Sequence, residues 1–338
     1  MKKFLLTGFI FLLPIILTSY FVDLLISKNL KKSNSYAQKE YSTWNAIVDG
    51  KLNSEILIYG SSRAWTHFDT KIIEDSLKQR TYNLGIDGSA FKLQNLRHVL
   101  ALKNNTKPKL IIYSVDAWTI QEGNLYNSDQ FLPYMLWDKN FFNYTSKYEG
   151  FNYFDYKIPL IRYYGKFEAI KTAIQMIISP NNNIVERIKG YQGQTKPWNN
   201  DFENAKNSIT KFVIKSDKHI VELFDNYLKE CKEQNIEVIL VYSPIFIEGQ
   251  EFLQNQKQVI NTFEILAKNN DFLFMNFSKD EICFDKKYFY NSTHLNKTGA
   301  ELFTKKLCNQ MKNISTKEQF GAITPSVQNR LYDILYKK

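Results

Sequence analysis

Two stretches far apart in the chain hold residue types that can do serine chemistry. The first is Gly60-Ser61-Ser62-Arg63, which directly follows the apolar, β-prone run Ile56-Leu57-Ile58-Tyr59. A short apolar run closed by a glycine reads as a buried strand. A serine on the turn after such a strand stands at its carboxyl end, where open α/β sheets place their ligands. The second stretch is Tyr290-Asn291-Ser292-Thr293-His294-Leu295-Asn296, followed by Lys297-Thr298-Gly299. A serine hydroxyl is a weak nucleophile at its own pKa, so an imidazole must take its proton and a third group must orient the ring. His294, on a loop three residues after Asn291, can approach a distant serine in this way. Each stretch also has an ordinary reading. Gly-Ser-Ser is a common loop after a strand, and a lone histidine before a helix can serve as a cap.

The elements that would carry these residues alternate. Strands are expected over Glu55 to Tyr59, Thr81 to Gly85, Leu110 to Val115, Glu237 to Tyr242 and Phe272 to Phe277. Helices are expected over Asp69 to Leu77, Ala90 to Lys103, Lys218 to Gln234, Glu251 to Lys268 and Asn296 to Asn309, with a short one over Gln328 to Tyr336. Thr66, Asp69 or Thr70 would cap the first. Strands alternating with helices imply a parallel sheet covered on both faces. Residues 121–217 break the rhythm. They are crowded with aromatics, including Trp137, Tyr153, Tyr163, Tyr164, Tyr191 and Trp198, and carry one helix over Phe167 to Ile178 and a loop from Gly190 to Trp198. An insertion of this length is commonly functional or a lid. Its rings suit sugar faces and equally suit packing of the insertion itself.

Of the 338 residues, 44% are apolar, which makes the chain globular rather than disordered. Its formal charge is +10, but the lysines are spread out with no dense basic block, so nucleic acid is not an expected partner. Cys231, Cys283 and Cys308 show no paired spacing, and the four histidines show no ligand spacing, so no structural metal is expected, and serine chemistry requires no metal or organic cofactor. Met1-Lys2-Lys3 precedes an uncharged run from Phe4 to Val22, close to the roughly 20 residues a membrane helix needs. No cleavage-like site follows directly, which favours an uncleaved signal anchor over residues 1–27. Lysines flank both ends, so charge barely sets the orientation. Nothing after Asp23 resembles a second span, and the body is placed outside the cytoplasm. The remaining divisions are a polar stalk and entry segment at 28–50, an α/β domain at 51–314 and a tail at 315–338.

Together these blocks resemble the SGNH/GDSL hydrolases, and within them the membrane-anchored branch similar to polysaccharide O-acetylation proteins and the D-alanine transfer protein of teichoic acid synthesis. The resemblance covers roughly residues 51–312. Gly60-Ser61-Ser62 resembles the Gly-Asp-Ser block, Asn83-Leu84-Gly85 the second block, Ser114-Val115-Asp116 the position of the third, and Asn291 to His294 the final Asp-x-x-His block. It implies a three-layer α/β/α, flavodoxin-like sheet behind an N-terminal transmembrane helix, in a bacterial inner membrane. It implies Ser62 as nucleophile, His294 as base, and Gly85 with the Ser62 N–H as oxyanion donors. Asn291 stands where the orienting acid belongs, with Asp285 as the alternative. Arg63, Asp116 and Trp118 are the candidate substrate-binding residues. The expected activity is that of an O-acyl, foremost acetyl, esterase or acyltransferase on an envelope or exported polysaccharide. A membrane-bound acyl donor protein would be a partner. Asp116 in place of an amide donor and Asn291 in place of an acid keep a second reading open: a noncatalytic carbohydrate-binding or assembly subunit on the same fold.

Overall fold

The computed structural model describes residues 2–88, 91–123, 126–180, 187–208, 212–316 and 324–337. Its strands are β1 (Ile56–Gly60), β2 (Thr81–Asn83), β3 (Leu110–Ser114), β4 (Glu237–Tyr242) and β5 (Leu273–Asn276). They form one parallel sheet in the order β2-β1-β3-β4-β5. In chain order the helices are α1 (Lys2–Leu30), α2 (Glu40–Val48), α3 (Ser62–His67), α4 (Thr70–Leu77), α5 (Phe91–Asn104), α6 (Lys139–Thr145) and α7 (Phe167–Ile178). They continue with α8 (Asp201–Ser208), α9 (Lys218–Glu233), α10 (Ile247–Phe252), α11 (Gln256–Asn269), α12 (Lys297–Thr316) and α13 (Pro325–Tyr336).

The α/β architecture expected from the alternation is the one observed. β1, β3 and β4 are buried along their whole length, which is why they read as unbroken apolar runs. Their side chains still alternate between faces. Ile56, Ile58 and Ile112 join one core with Phe68, Phe303 and Leu307 of the α3–α4 and α12 side. On the other face Tyr59 stacks on Tyr113 at 6.1 Å, and Tyr113 meets Phe224 of α9 at 4.9 Å. α12 earns its place by spacing: Ala300, Phe303, Leu307 and Met311 recur every three or four residues and are buried. The order 2-1-3-4-5 reverses between β1 and β3, and that switch point is where such sheets bind ligands.

Two compact units are present, residues 1–45 with 125–186, and residues 46–124 with 187–338. The second holds the sheet. In the first, α1 packs along α7. Among the described residues one helix is long and apolar enough to cross a membrane, over Ile10–Leu30 with mean hydropathy 2.1. Its last turns are not free. Asp23 makes a fully buried two-pronged ion pair with Arg162, at 2.8 and 2.7 Å, and also accepts from the Leu160 N–H at 2.8 Å. Ser27 Oγ lies 2.9 Å from the Tyr163 hydroxyl.

Three sequence expectations differ from this picture. Residues 28–50, expected as a polar stalk and entry segment, are mostly helical, with Leu30, Tyr41, Trp44 and Ile47 buried. Trp44 packs against Phe131 and Phe141 at 5.6 and 5.4 Å and donates to Gln130 Oε1 at 2.8 Å. The helix expected over Glu251 to Lys268 is two helices, because the chain between them turns its backbone to Phe212. Phe212 N donates to Phe252 O at 3.1 Å, and Gln254 N donates to Phe212 O at 2.9 Å. The insertion aromatics do not act alike: Tyr163 and Tyr191 are buried, while Tyr164 is 92% exposed. Ala90, the expected start of α5, lies outside the described residues.

Candidate active site

β1 delivers the chain to the site through Gly60, whose φ is +140°. A Cβ there would lie 2.6 Å from the Ser114 carbonyl oxygen of β3, so only glycine fits both the dihedral and the close strand packing. The turn then enters α3, with Ser61 as its N-cap. The Ser61 hydroxyl donates to Asp116 Oδ2. Asp116 Oδ1 in turn accepts from the Trp118 and Thr119 N–H groups at 2.9 and 3.2 Å. Asp116 is therefore a bracket tying the turn after β3 to the turn after β1. The next side chain, Ser62, is left to project.

The histidine arrives from a loop organised by Asn291. Asn291 Oδ1 accepts from the Thr293 N–H at 3.1 Å, the His294 N–H at 2.9 Å and His294 Nδ1 at 3.0 Å. Two backbone donors fix this atom as the oxygen, so His294 carries its proton on Nδ1. Nε2 is then the acceptor, and it lies 2.7 Å from Ser62 Oγ. Thr293 Oγ1 also lies 3.0 Å from Nδ1. The Tyr290 ring stacks on the imidazole at 5.4 Å.

A second histidine, which the sequence reading did not single out, holds this loop against the sheet. Leu295 N donates to His67 Nε2 at 3.0 Å, and His67 Nδ1 meets Ser243 Oγ at 2.9 Å. Its signal in the sequence was its place five residues after Ser62. Arg63 is buried against the same serine, with Nη2 donating to Ser243 Oγ at 2.8 Å and to the Ser243 carbonyl oxygen, and its guanidinium 5.1 Å from the Tyr242 ring. No carboxylate pairs with Arg63 among the described residues. Burial first, and the Arg63 charge second, push the His294 imidazole down to about 3. The same two causes hold His67 well below the usual histidine range.

The other residues singled out in the sequence fall in two groups. Trp118 lines the cavity beside Ser62 and is 55% exposed. Asp285 is turned to Lys287 instead, at 2.5 Å from its Nζ, and caps the short turn that follows. Gly85 does not line the cavity. Its N–H donates to Asn83 Oδ1 at 3.0 Å, and a Cβ at Gly85 would meet the Trp65 nitrogen at 2.7 Å. Asn83 Nδ2 donates to the Ala64 and Phe68 carbonyl oxygens at 2.8 and 3.2 Å. The Asn83-Leu84-Gly85 block thus clamps α3 in place.

The cavity that Ser62 and His294 share measures about 350 Å³. Much of its wall comes from Phe202, Phe212, Ile214, Phe252 and Leu253, residues the sequence reading left in the insertion and in a helix. Their signal was weak: Phe212-Val213-Ile214 is a three-residue apolar run in polar surroundings.

Fold and site define a parallel α/β protein with a serine–histidine pair at the carboxyl end of its first strand. No family model and no curated protein matches the chain. Two solved structures are similar over most of its length. A GDSL-like lipase from Bacteroides thetaiotaomicron is 14% identical with a TM-score of 0.34, covering 80% of this chain and 97% of that one. A protein from Bacteroides fragilis, provisionally assigned as an acylhydrolase, is 12% identical with a TM-score of 0.32, covering 82% and 99%. At these values the site stands on its own geometry.

Proposed function

We propose that this chain is a serine-dependent O-acyl esterase or acyltransferase of SGNH type, held at a membrane by α1 and acting on an envelope or exported polysaccharide. The observation that carries the reading is the 2.7 Å contact of Ser62 Oγ with His294 Nε2, with Nδ1 oriented by Asn291. Ser62 Oγ attacks the acyl carbonyl carbon while its proton passes to Nε2. The tetrahedral intermediate collapses, the ester C–O bond breaks, and the departing alcohol takes the proton back. Water or a sugar hydroxyl then repeats the sequence on the acyl-serine, giving its proton to Nε2 and releasing Ser62. The Ser62 N–H is the oxyanion donor of this scheme. The Gly85 N–H would first have to leave Asn83. The Arg63 charge favours the anionic intermediate. It opposes the imidazolium that forms beside it, and Asn291 offers an amide where a carboxylate would offset that charge.

That last feature favours one second reading, a noncatalytic subunit that binds acylated glycan on the same fold. Release of 4-nitrophenol from 4-nitrophenyl butyrate by the full chain, beside Ser62→Ala and His294→Ala, separates the two. Turnover lost in both variants supports the enzyme. Equal background in all three leaves the binding subunit.

A further inference from the structure

We infer that the cavity beside Ser62 is an acyl-chain subsite, built for an apolar acyl group several carbons longer than acetyl. The inference rests on the serine reading above and names the group that reading transfers. An acetyl group places a single methyl beyond the reacting carbonyl. The cavity of about 350 Å³ is the size of a small-ligand pocket.

Its walls are largely apolar and fixed, with Asp201 of α8 and the Ser292 and Thr293 hydroxyls as polar exceptions. Phe202 of α8 meets Phe252 of α10 edge-on at 5.8 Å, and Trp118 lies 6.1 Å from Phe212. The strap carrying Phe212 and Ile214 is bonded through its backbone to residues 252–255. Beyond the two Phe212 bonds, Asn255 grips both sides of Ile214: Oδ1 accepts from the Ile214 N–H at 2.9 Å, and Nδ2 donates to the Ile214 carbonyl oxygen at 2.7 Å. Backbone polar groups are thereby consumed outside the cavity, which leaves side chains to line it.

Three polar side chains at its Ser62 end, Ser61, Arg63 and Asp116, are already engaged. Ser61 gives its proton to Asp116, Asp116 accepts from two backbone N–H groups, and Arg63 donates to Ser243. A sugar ring placed here would bury hydroxyls against phenylalanines, and unpaired buried hydroxyls are costly. An alkyl or branched acyl chain would lose nothing and would gain with each methylene. The glycan or other alcohol of the ester is then held elsewhere than in this cavity.

The test uses the full chain in phosphatidylcholine nanodiscs, read against empty nanodiscs. Its substrates are the acetyl, butyryl and hexanoyl esters of 4-nitrophenol. The wild type is expected to gain about fourfold in kcat/KM per added methylene. Ala205 of α8 also lines the cavity, and Ala205→Trp fills it from that side while leaving Ser62 and His294 in place. It is expected to lower the hexanoyl rate by about tenfold or more while leaving the acetyl rate within about twofold. A second readout needs no turnover: calorimetric binding of butyrate and hexanoate to Ser62→Ala. Hexanoate is expected to bind about fifteenfold tighter, two methylenes' worth, and to lose that advantage when Ala205→Trp is added. Acetyl as the best ester, with the two acids binding alike, overturns the subsite and leaves the esterase standing. Tighter hexanoate binding that Ala205→Trp removes, without hydrolysis of any ester, keeps the subsite and overturns the esterase.

Discussion

At Asn291 one heavy atom separates an amide from a carboxylate, and much of the proposed reactivity turns on it. The amide oxygen gives His294 the correct tautomer. It brings no charge, and the imidazole sits down at about 3. Asn291→Asp is therefore expected to raise kcat/KM at pH 7 by about tenfold or more, short of the roughly 10⁴ that the reverse change costs in a serine protease. It should also lift the acidic limb of the pH–rate profile. The wild-type profile should be flat from pH 5 to 8, because His294 is already neutral there. A variant no faster than wild type, with an unmoved profile, sinks the argument. The same residue scale shows what a sequence can disclose. The pairing of Ser62 with His294 was legible because a serine on the turn after a strand and a histidine on a loop before a helix are residue types that can meet in this way. The work of Asp116 was not legible, because its partner Ser61 lies on a different strand's turn. Gly85 looked like a donor, yet its N–H is taken by a side chain two residues away. Only the bent backbone brings those two atoms together.

At the scale of elements, the five strands were legible because buried parallel strands leave unbroken apolar runs. α3 was not, being six residues with two hydroxyls and no apolar period. The break between α10 and α11 was also hidden, since the strap at Phe212 that causes it comes from some 40 residues upstream. α1 looked like an anchor joined to a stalk, and the buried Asp23–Arg162 pair was invisible because its partners are far apart in sequence. Breaking such a pair leaves a buried charge uncompensated. Arg162→Ala is expected to lose about 3–5 kcal/mol of stability, read as the urea midpoint of the full chain in nanodiscs. Asp23→Leu with Arg162→Met should restore most of it, since apolar replacement of both partners is often neutral. A single variant as stable as wild type would show that the pair does not hold α1 in its unit.

For the molecule as a whole, three neutral histidines in the sheet-bearing unit make stability depend on pH. Burial lowers His98 to about 4, lowers His294 to about 3 with the help of Arg63, and holds His67 well down. Below about pH 6.5 the unfolded chain binds a proton on each, whereas the folded chain does not until far lower pH. Stability is thus full above 6.5 and is lost as the pH falls from there toward 4. Glu237, raised by burial, opposes the loss only near the carboxylate range. His98 and His294 should each give up about 2 kcal/mol by pH 5, and His67 adds to the loss in the same direction. The melting temperature should therefore drop between pH 7.5 and 5, and His98→Phe should flatten the slope. An unchanged melting temperature across that interval would refute it.

The last turns of α1 also bear on how this protein can be made. Asp23, Ser27 and Leu30 are interior parts of a folded unit, so the end of the helix is part of the architecture. A peptidase that trimmed the chain after its apolar run would orphan the Arg162 guanidinium in a dry interior. An expression clone begun at residue 31, a natural choice for anyone seeking a soluble version, would do the same. The helix must travel with the body for the first unit to fold, and purification has to keep its exposed apolar residues in solution.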